Sequence, residues 1–410
     1  MVAAMAGPLA GVKVVELGVW VAGPAAAVTL GDWGADVVKV EPLDGDPARL
    51  FTKIYGVDLP TNPIFDQDNR NKLGIAVDIT TPEGRQIMYD LLDDADVFVT
   101  NVRAKALARA GLDHQTLLER NPRLIYGHLT GYGLEGPDAD RAAFDIAAFW
   151  SRAGIASMLT PEGADLPFQR GGMGDHTTGV TFAGAICAAL FHRERSGEGQ
   201  LVSSSLLRQG VYTISFDLST VLGWGAHPAI GRRDEMRSPT ANNYGTADGR
   251  RFWVVGLQAD RHWPPLARVA GHPEWVDDPR FVNGYQRAMH HVELRAMLDE
   301  IFATKTLDEW AEIFDTEPDM FWAPVNTAYD VIADPQVLAS GALIEVPDGA
   351  GTTTQIATPA DFHGTPLQPR WMAPTIGQHT EQVLRALGRT ADEIAALQHA
   401  GVIATTPPEP

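Results

Sequence analysis

The sequence predicts an α/β fold, with a doubly wound large domain on a parallel sheet and a smaller α+β domain. Three observations carry this expectation. Short apolar runs alternate with helix-patterned segments from Lys13 to Thr130. Near Gly225 the texture changes, and turn signals with amphipathic segments replace that alternation. The chain has 410 residues, more than one domain usually holds, so two domains are expected.

Lys13–Leu17 is a short apolar strand. Ala22–Gly34 reads as a helix, opened by Gly23-Pro24 and rich in small residues. Asp36–Glu41 is a second strand, so strand, helix and strand form a βαβ unit. The pattern continues with strand Gly74–Asp78, helix Thr81–Asp93 and buried strand Val97–Thr100. Proline at Pro82 suits a first helical turn, where its missing N–H costs little. Leu112–Arg120 is a short helix and Leu124–Thr130 another strand, which completes a Rossmann-like, doubly wound pattern. Asp145–Ala153 and Val180–Arg195 read as helical, and Gln200–Leu206 as a strand after the turn Ser196–Gly199. Beyond it lie the strand Arg251–Val255 and the amphipathic helices Val292–Phe302 and Leu307–Thr316. Tyr329–Ser340 and Thr380–Leu387 carry helical segments that return to the first domain. The expected domains are 1–225, 226–330 and a return segment, 331–410, completing the large domain.

Thirty-two basic residues against 52 acidic ones leave a formal net charge of −20. That balance argues against nucleic acid or an anionic membrane as the main partner. Cys187 is the only cysteine, so no intrachain disulfide forms, and a reducing cytoplasm is the expected setting. It sits in the apolar run Val180–Leu190 and reads as a core residue. No apolar stretch approaches the ~20 residues of a membrane span. Met1–Gly11 lacks the basic and apolar regions of a secretory signal, and Thr405–Pro410 is a proline-rich tail expected to fray. Phosphate-loop, dinucleotide and zinc signatures are missing, and no metal is expected.

The segment Arg170-Gly171-Gly172-Met173-Gly174-Asp175-His176-Thr177-Thr178-Gly179 stands apart. Three glycines precede the acidic residue and one follows it. Glycine permits tight turns and close backbone approach to a ligand. A helix is expected to begin just after, so amides at its N-terminus would face an anion. Asp175 would then lie beside donors able to stabilise an oxyanion. Composition alone favours a plainer reading, in which Asp175 caps that helix.

Other stretches shift the balance. Pro8–Glu16, Ala22-Gly23-Pro24 and Leu30–Glu41 together resemble the class III CoA-transferases. That family contains formyl-CoA transferase, carnitine CoA-transferase and α-methylacyl-CoA racemase. The likeness continues through Asn71-Lys72, Thr81–Arg85, Ala95-Asp96-Val97, Asn101, Asn121–Ile125 and Gly131-Tyr132-Gly133. It includes Gly174-Asp175 and Ser196–Gln200, and resumes at Ala323-Pro324-Val325, Asp334–Val337 and Gly377–Thr380. It spans nearly the whole chain in order.

The resemblance implies a CoA-transferase that moves CoA between an acyl-CoA and a carboxylic acid. In that branch the aspartate of the Gly-Asp motif is the nucleophile, here Asp175, and aspartyl anhydride and aspartyl-CoA are the intermediates. Coenzyme A is then a substrate. Positions matching the family's CoA-binding segments are Val21, Ala22, Val77, Asp78, Ile79, Thr80, Asn101, Val102 and Arg109. Arg109 or Lys72 would contact the phosphates. Asn101 reads equally as a cap after its strand, and Arg109 as a solvated helix residue.

Trp20, Phe144, Asp145 and Gly174 would line the acyl pocket. A glutamine of formyl-CoA transferase is Val21 here, its Tyr–Glu pair aligns with Phe144-Asp145, and its mobile glycine run has no clear counterpart. A more apolar pocket, and a larger or less polar acyl group, is implied. In the racemase a histidine precedes the matching aspartate, and a glutamate from the small domain supports it. Phe144 cannot move a proton, and Val255–Asp260 holds no glutamate, so racemisation is disfavoured. Family members form dimers of interlocked rings, and a homodimer is expected here.

Overall fold

The computed structural model describes residues 7–54, 56, 61–226 and 231–406. Strand β1 (Lys13–Leu17), helix α1 (Ala22–Asp32) and β2 (Asp36–Glu41) form the first βαβ unit. Helix α2 (Pro63–Asn69) leads into β3 (Lys72–Val77), and α3 (Pro82–Asp93) into β4 (Val97–Thr100). Thr81 starts α3: its hydroxyl accepts the Gly84 amide, and Pro82 needs no partner for an N–H it lacks. Helices α4 (Ala104–Ala110) and α5 (His114–Arg120) precede β5 (Ile125–Thr130). The long helix α6 (Met173–Ser196) precedes β6 (Gln200–Ser205), and β7 (Ile403–Ala404) comes last.

These strands make one seven-stranded sheet, ordered β7-β3-β2-β1-β4-β5-β6. Six run parallel, and β7 lies antiparallel on β3, with Ile403 opposite Val77. Thr380 reinforces that edge, its Oγ1 accepting the Ala76 amide at 3.1 Å. Along β1 successive side chains part: Val14 enters one core with α1 and α6, Val15 another with α3, so both faces of the sheet are covered. The strand order runs outward in both directions from the β1–β4 pair. Crevices at the carboxyl ends of such a pair are where open α/β sheets bind ligands.

The small residues of α1 let α6 approach closely. A Cβ on Gly179 would lie 2.8 Å from the Ala25 Cβ and 3.0 Å from the Ala26 nitrogen. Helix α6 starts at Met173, earlier than the expected Val180, because this packing overrides the poor helix propensity of its glycines and threonines. Asp145–Ala153 is realised as a π-helical turn, Ile146–Arg152. Helices Ala104–Ala110, Leu206–Thr213 and Ser215–Trp224 and the hairpin Leu343–Asp348 with Gly351–Ile356 were not foreseen.

Contacts divide the chain into two compact units. One comprises Met1–Met158, Leu166–His227 and Ala339–Pro410; the other comprises Leu159–Asp165 and Pro228–Leu338. The second unit has an antiparallel sheet of Ala241–Gly245, Arg251–Val255 and Trp322–Pro324. Its core gathers Tyr244, Phe252, Trp263, Phe302, Trp310 and Phe314. Of the termini read from sequence, Met1–Ala6 and 407–410 lie outside the described residues.

Candidate active site

At the β1–β4 crevice the two departing loops are tied together. Asn101 donates through Nδ2 to the Val19 carbonyl (2.7 Å) and accepts the Val19 amide on Oδ1 (2.9 Å). Its side chain therefore shapes the loop instead of capping a helix. Next along the loop is Trp20, whose φ of 65° lies in the left-handed region that bulky side chains avoid. Such strain costs on the order of 1–3 kcal/mol and persists only where the surroundings impose it.

A buried charge network imposes it. The Trp20 amide donates to Asp46 Oδ1 (3.0 Å), which also accepts the Ala48 amide (2.9 Å). Lys39 Nζ donates to Asp46 Oδ2 (2.9 Å), Glu16 Oε1 (3.0 Å) and the Gly18 carbonyl (3.1 Å). Lys72 Nζ stands 2.7 Å from Glu16 Oε2 and donates to Asn69 Oδ1 (2.9 Å) and the Pro24 carbonyl (3.0 Å). The Glu16, Lys39, Asp46 and Lys72 side chains have no solvent exposure. Burial opposes charge on Lys39, but Glu16, Asp46 and Glu41 together hold its pKa above the ordinary lysine value. For Lys72 burial wins, pushing the ammonium down to about 8. The sequence suggested Lys72 as a contact for the CoA phosphates; its three partners and complete burial fit a structural role instead.

The Gly-Asp motif forms the first turn of α6. Gly172 precedes the helix with φ 73°, and a Cβ there would lie 3.0 Å from the His176 ring. Asp175 is the third residue of the helix, so it does not cap it. The Gly174 amide donates to Asp145 Oδ2 at 3.0 Å. A Cβ on Gly174 would fall 2.1 Å from Asp145 Oδ1 and 2.4 Å from Phe149 Cγ, a close approach only glycine allows. One of the amides expected to face an anion is therefore already occupied by Asp145.

Asp145 is buried, and its Oδ1 has no hydrogen-bond partner among the described residues. Burial, then the negative charge of Asp145, pushes the Asp175 carboxyl up to about 7. His176 acts in the opposite direction, and Asp68 adds a smaller push. His176 Nε2 lies 3.0 Å from Asp68 Oδ1, and this hydrogen bond chiefly raises the imidazole pKa.

The predicted acyl-pocket residues form a contiguous series. The Trp20 ring meets Phe144 edge-on at 5.6 Å and Phe51 at 5.7 Å. Phe144 adjoins Asp145, which holds Gly174. Four predicted CoA-binding residues, Ile79, Thr80, Val102 and Arg109, line one cavity of about 320 Å³ at the carboxyl end of β1. Arg85 lines it too, with a buried Nε lacking a partner among the described residues. Asp78 fixes the same turn by accepting the Thr80 amide (2.9 Å) and hydroxyl (2.6 Å). Val77 is buried in the core, and Val21 and Ala22 are nearly so. Their side chains offer little surface to a ligand. A cavity of about 430 Å³ beside Lys13, Asp36 and Arg370 holds none of the residues named above as site residues.

Sequence reasoning missed Asp46, Lys39, Asp68, His176, Arg85 and Phe51. Lys39, Arg85 and His176 stood inside quoted motifs, whereas Asp68 gave no local signal.

Residues 9–380 match the model of CoA-transferase family III. The chain belongs to this family. It is a CoA-transferase, similar to (R)-2-hydroxy-4-methylpentanoate CoA-transferase of Clostridioides difficile, with 32% identity over 96% of this chain and 99% of the relative. It is 31% identical to cinnamoyl-CoA:phenyllactate CoA-transferase of Clostridium sporogenes, over 95% of each. The fold matches a CAIB/BAIF family protein from Brucella suis with a TM-score of 0.83 and 29% identity, covering 93% of this chain and 100% of that one. Among the described residues no helix is long and apolar enough to cross a membrane, and no cluster of His, Cys, Asp and Glu is placed to hold a metal ion.

Proposed function

We propose that this CoA-transferase works by covalent catalysis at Asp175, on acyl groups with branched or aromatic apolar bodies. The observation that carries the reading is the crowded Asp175 carboxyl in the first turn of α6, raised to about 7 by burial and by Asp145. Such perturbation marks a candidate group for chemistry.

The Asp175 carboxylate attacks the thioester carbonyl, the C–S bond breaks, and CoA thiolate leaves an aspartyl anhydride. The thiolate attacks the aspartyl carbonyl, expelling the donor carboxylate and leaving aspartyl-CoA. The acceptor carboxylate attacks that thioester and again releases thiolate. Attack by the thiolate on the acceptor acyl carbon yields the new acyl-CoA and restores the Asp175 carboxylate. No proton is gained or lost overall, and the anhydrides keep the acyl group activated throughout.

Arg85 and Arg109, beside Ile79, Thr80 and Val102, suit the phosphates of CoA. The Trp20, Phe51 and Phe144 rings suit an apolar acyl body. The names of two relatives, which contain (R)-2-hydroxy-4-methylpentanoate and cinnamoyl-CoA with phenyllactate, agree with a branched or aromatic acyl body. Phe144 in place of a proton-carrying residue speaks against racemisation. We further propose an interlocked homodimer acting in the cytoplasm. Helix Ser215–Trp224 buries none of its residues, and Phe216, Leu222 and Trp224 are each more than 80% exposed, a face suited to a second copy.

The test is chemical trapping. Enzyme incubated with acyl-CoA and quenched with hydroxylamine should carry a hydroxamate at Asp175, located by peptide mass spectrometry. Asp175→Ala should lose the adduct and about 10³-fold or more in turnover. Acyl exchange at full rate in that variant would end the proposal.

A further inference from the structure

This inference rests on Asp175 being the attacking carboxylate. Each turnover begins with that group ionised, yet its surroundings are unfavourable to negative charge. Asp145 approaches from the residue before the π-helical turn, with one buried oxygen unpartnered among the described residues. Asp68 approaches from α2 and is itself 3% exposed. Both substrates add further anionic groups, the phosphates of CoA and the acceptor carboxylate. Three crowded carboxylates with no counter-charge would favour a protonated, non-nucleophilic aspartate.

The geometry supplies one group able to carry positive charge. His176 follows Asp175 on the first turn of α6, and its Nε2 is 3.0 Å from Asp68 Oδ1. The other ring nitrogen, Nδ1, lies 3.1 Å from where a Cβ on Gly172 would stand, so glycine there makes room for the ring. The His176 side chain is half exposed, on the solvent side of the buried Asp68. A carboxylate bonded to one ring nitrogen favours the imidazolium and fixes the ring orientation.

We propose that His176, clamped by Asp68, is a positioning residue whose positive charge favours ionisation of Asp175 beside Asp145. The ion pair with Asp68 is more than a tie between α2 and α6: it delivers a charge to the nucleophile. The groups acting on His176 are Asp68 from α2, Asp175 on its own helix and Asp145 from the π-helical segment, all negative. The groups acting on Asp175 are Asp145, Asp68 and His176, of which only His176 opposes protonation.

The experiment is the pH dependence of kcat/KM for the full chain, with an acyl-CoA that the wild type turns over. His176→Gln removes the charge and keeps a hydrogen-bonding group. The acidic limb should move to higher pH by roughly half to one unit, a loss of about three- to tenfold below the limb. His176→Lys restores the charge without the imidazole and should return the limb to near its wild-type position. Circular dichroism and thermal melting check that each variant folds. A limb that stays in place in His176→Gln, with activity lowered equally at every pH, overturns the proposal. So does a lysine variant that behaves like the glutamine one. The wild-type hydroxylamine adduct at Asp175 is scored separately: its absence overturns the covalent reading itself, whereas its presence with an unmoved limb overturns only the role of His176.

Discussion

Replacing Asp145 by asparagine should make the enzyme active at lower pH. The change swaps a charge and little else. Asparagine can still accept the Gly174 amide that Asp145 Oδ2 now takes at 3.0 Å. Its amide nitrogen would occupy the place of Oδ1, already unpartnered among the described residues, so the hydrogen-bond count barely changes. What disappears is the negative charge that ranks second, after burial, in raising the Asp175 carboxyl from 3.8 to about 7. With burial left in place, the acidic limb should descend by on the order of one pH unit, which corresponds to about 1.4 kcal/mol less penalty on the ionised form. The assay is kcat/KM between pH 4.5 and 8 with one acyl donor held constant. Below the wild-type limb the variant should exceed the wild type by up to about tenfold. The double variant with His176→Gln should fall between the two singles, since the lost charges have opposite signs. A limb that stays fixed or rises in Asp145→Asn would refute the electrostatic account of the site.

Four further outcomes are expected. Asp46→Asn keeps an acceptor for the Trp20 and Ala48 amides but strips Lys39 of one buried counter-charge, and should cost about 3–5 kcal/mol in urea unfolding. Trp20→Gly relieves the left-handed backbone and removes the ring that meets Phe144 and Phe51. It should leave melting unchanged or higher while KM rises for branched or aromatic acyl-CoAs. Arg85→Ala and Arg109→Ala should each raise KM for acyl-CoA about tenfold with kcat unchanged, as steady-state kinetics would report for lost uniform binding. Gly179→Ala places a methyl 2.8 Å from the Ala25 Cβ and should destabilise by roughly 1–3 kcal/mol, read as a lowered melting temperature.

Much of the sheet was legible, because strand signals are local. The apolar runs at Lys13–Leu17, Asp36–Glu41, Val97–Thr100 and Arg251–Val255 became strands with those bounds. What was not legible depended on distant partners. The start of α6 is set by packing of Gly179 on α1, against the propensities of its own residues. Lys72 was read as a phosphate contact because Glu16, its ion-pair partner, lies on another strand. Asp175 stood out through its glycines and its family motif, whereas the clamp between His176 and Asp68 joins residues 108 positions apart. The hairpin at 343–356 escaped because its strands, with Thr352-Thr353-Thr354 and Glu345, carry little of the apolar alternation that betrays a half-buried strand.

The pairing of β3 with β7 has a consequence for how the protein is made. The Thr380 hydroxyl that accepts the Ala76 amide belongs to a residue 304 positions later. During synthesis the nascent sheet therefore waits, its outer strand unpaired, while the ribosome delivers the whole of the second unit. Unpaired strand edges recruit other chains, and contacts so remote in sequence form slowly. Chain release after Leu338 would leave a polypeptide with α6 complete but one flank of the sheet open, a species for chaperones to hold or proteases to clear.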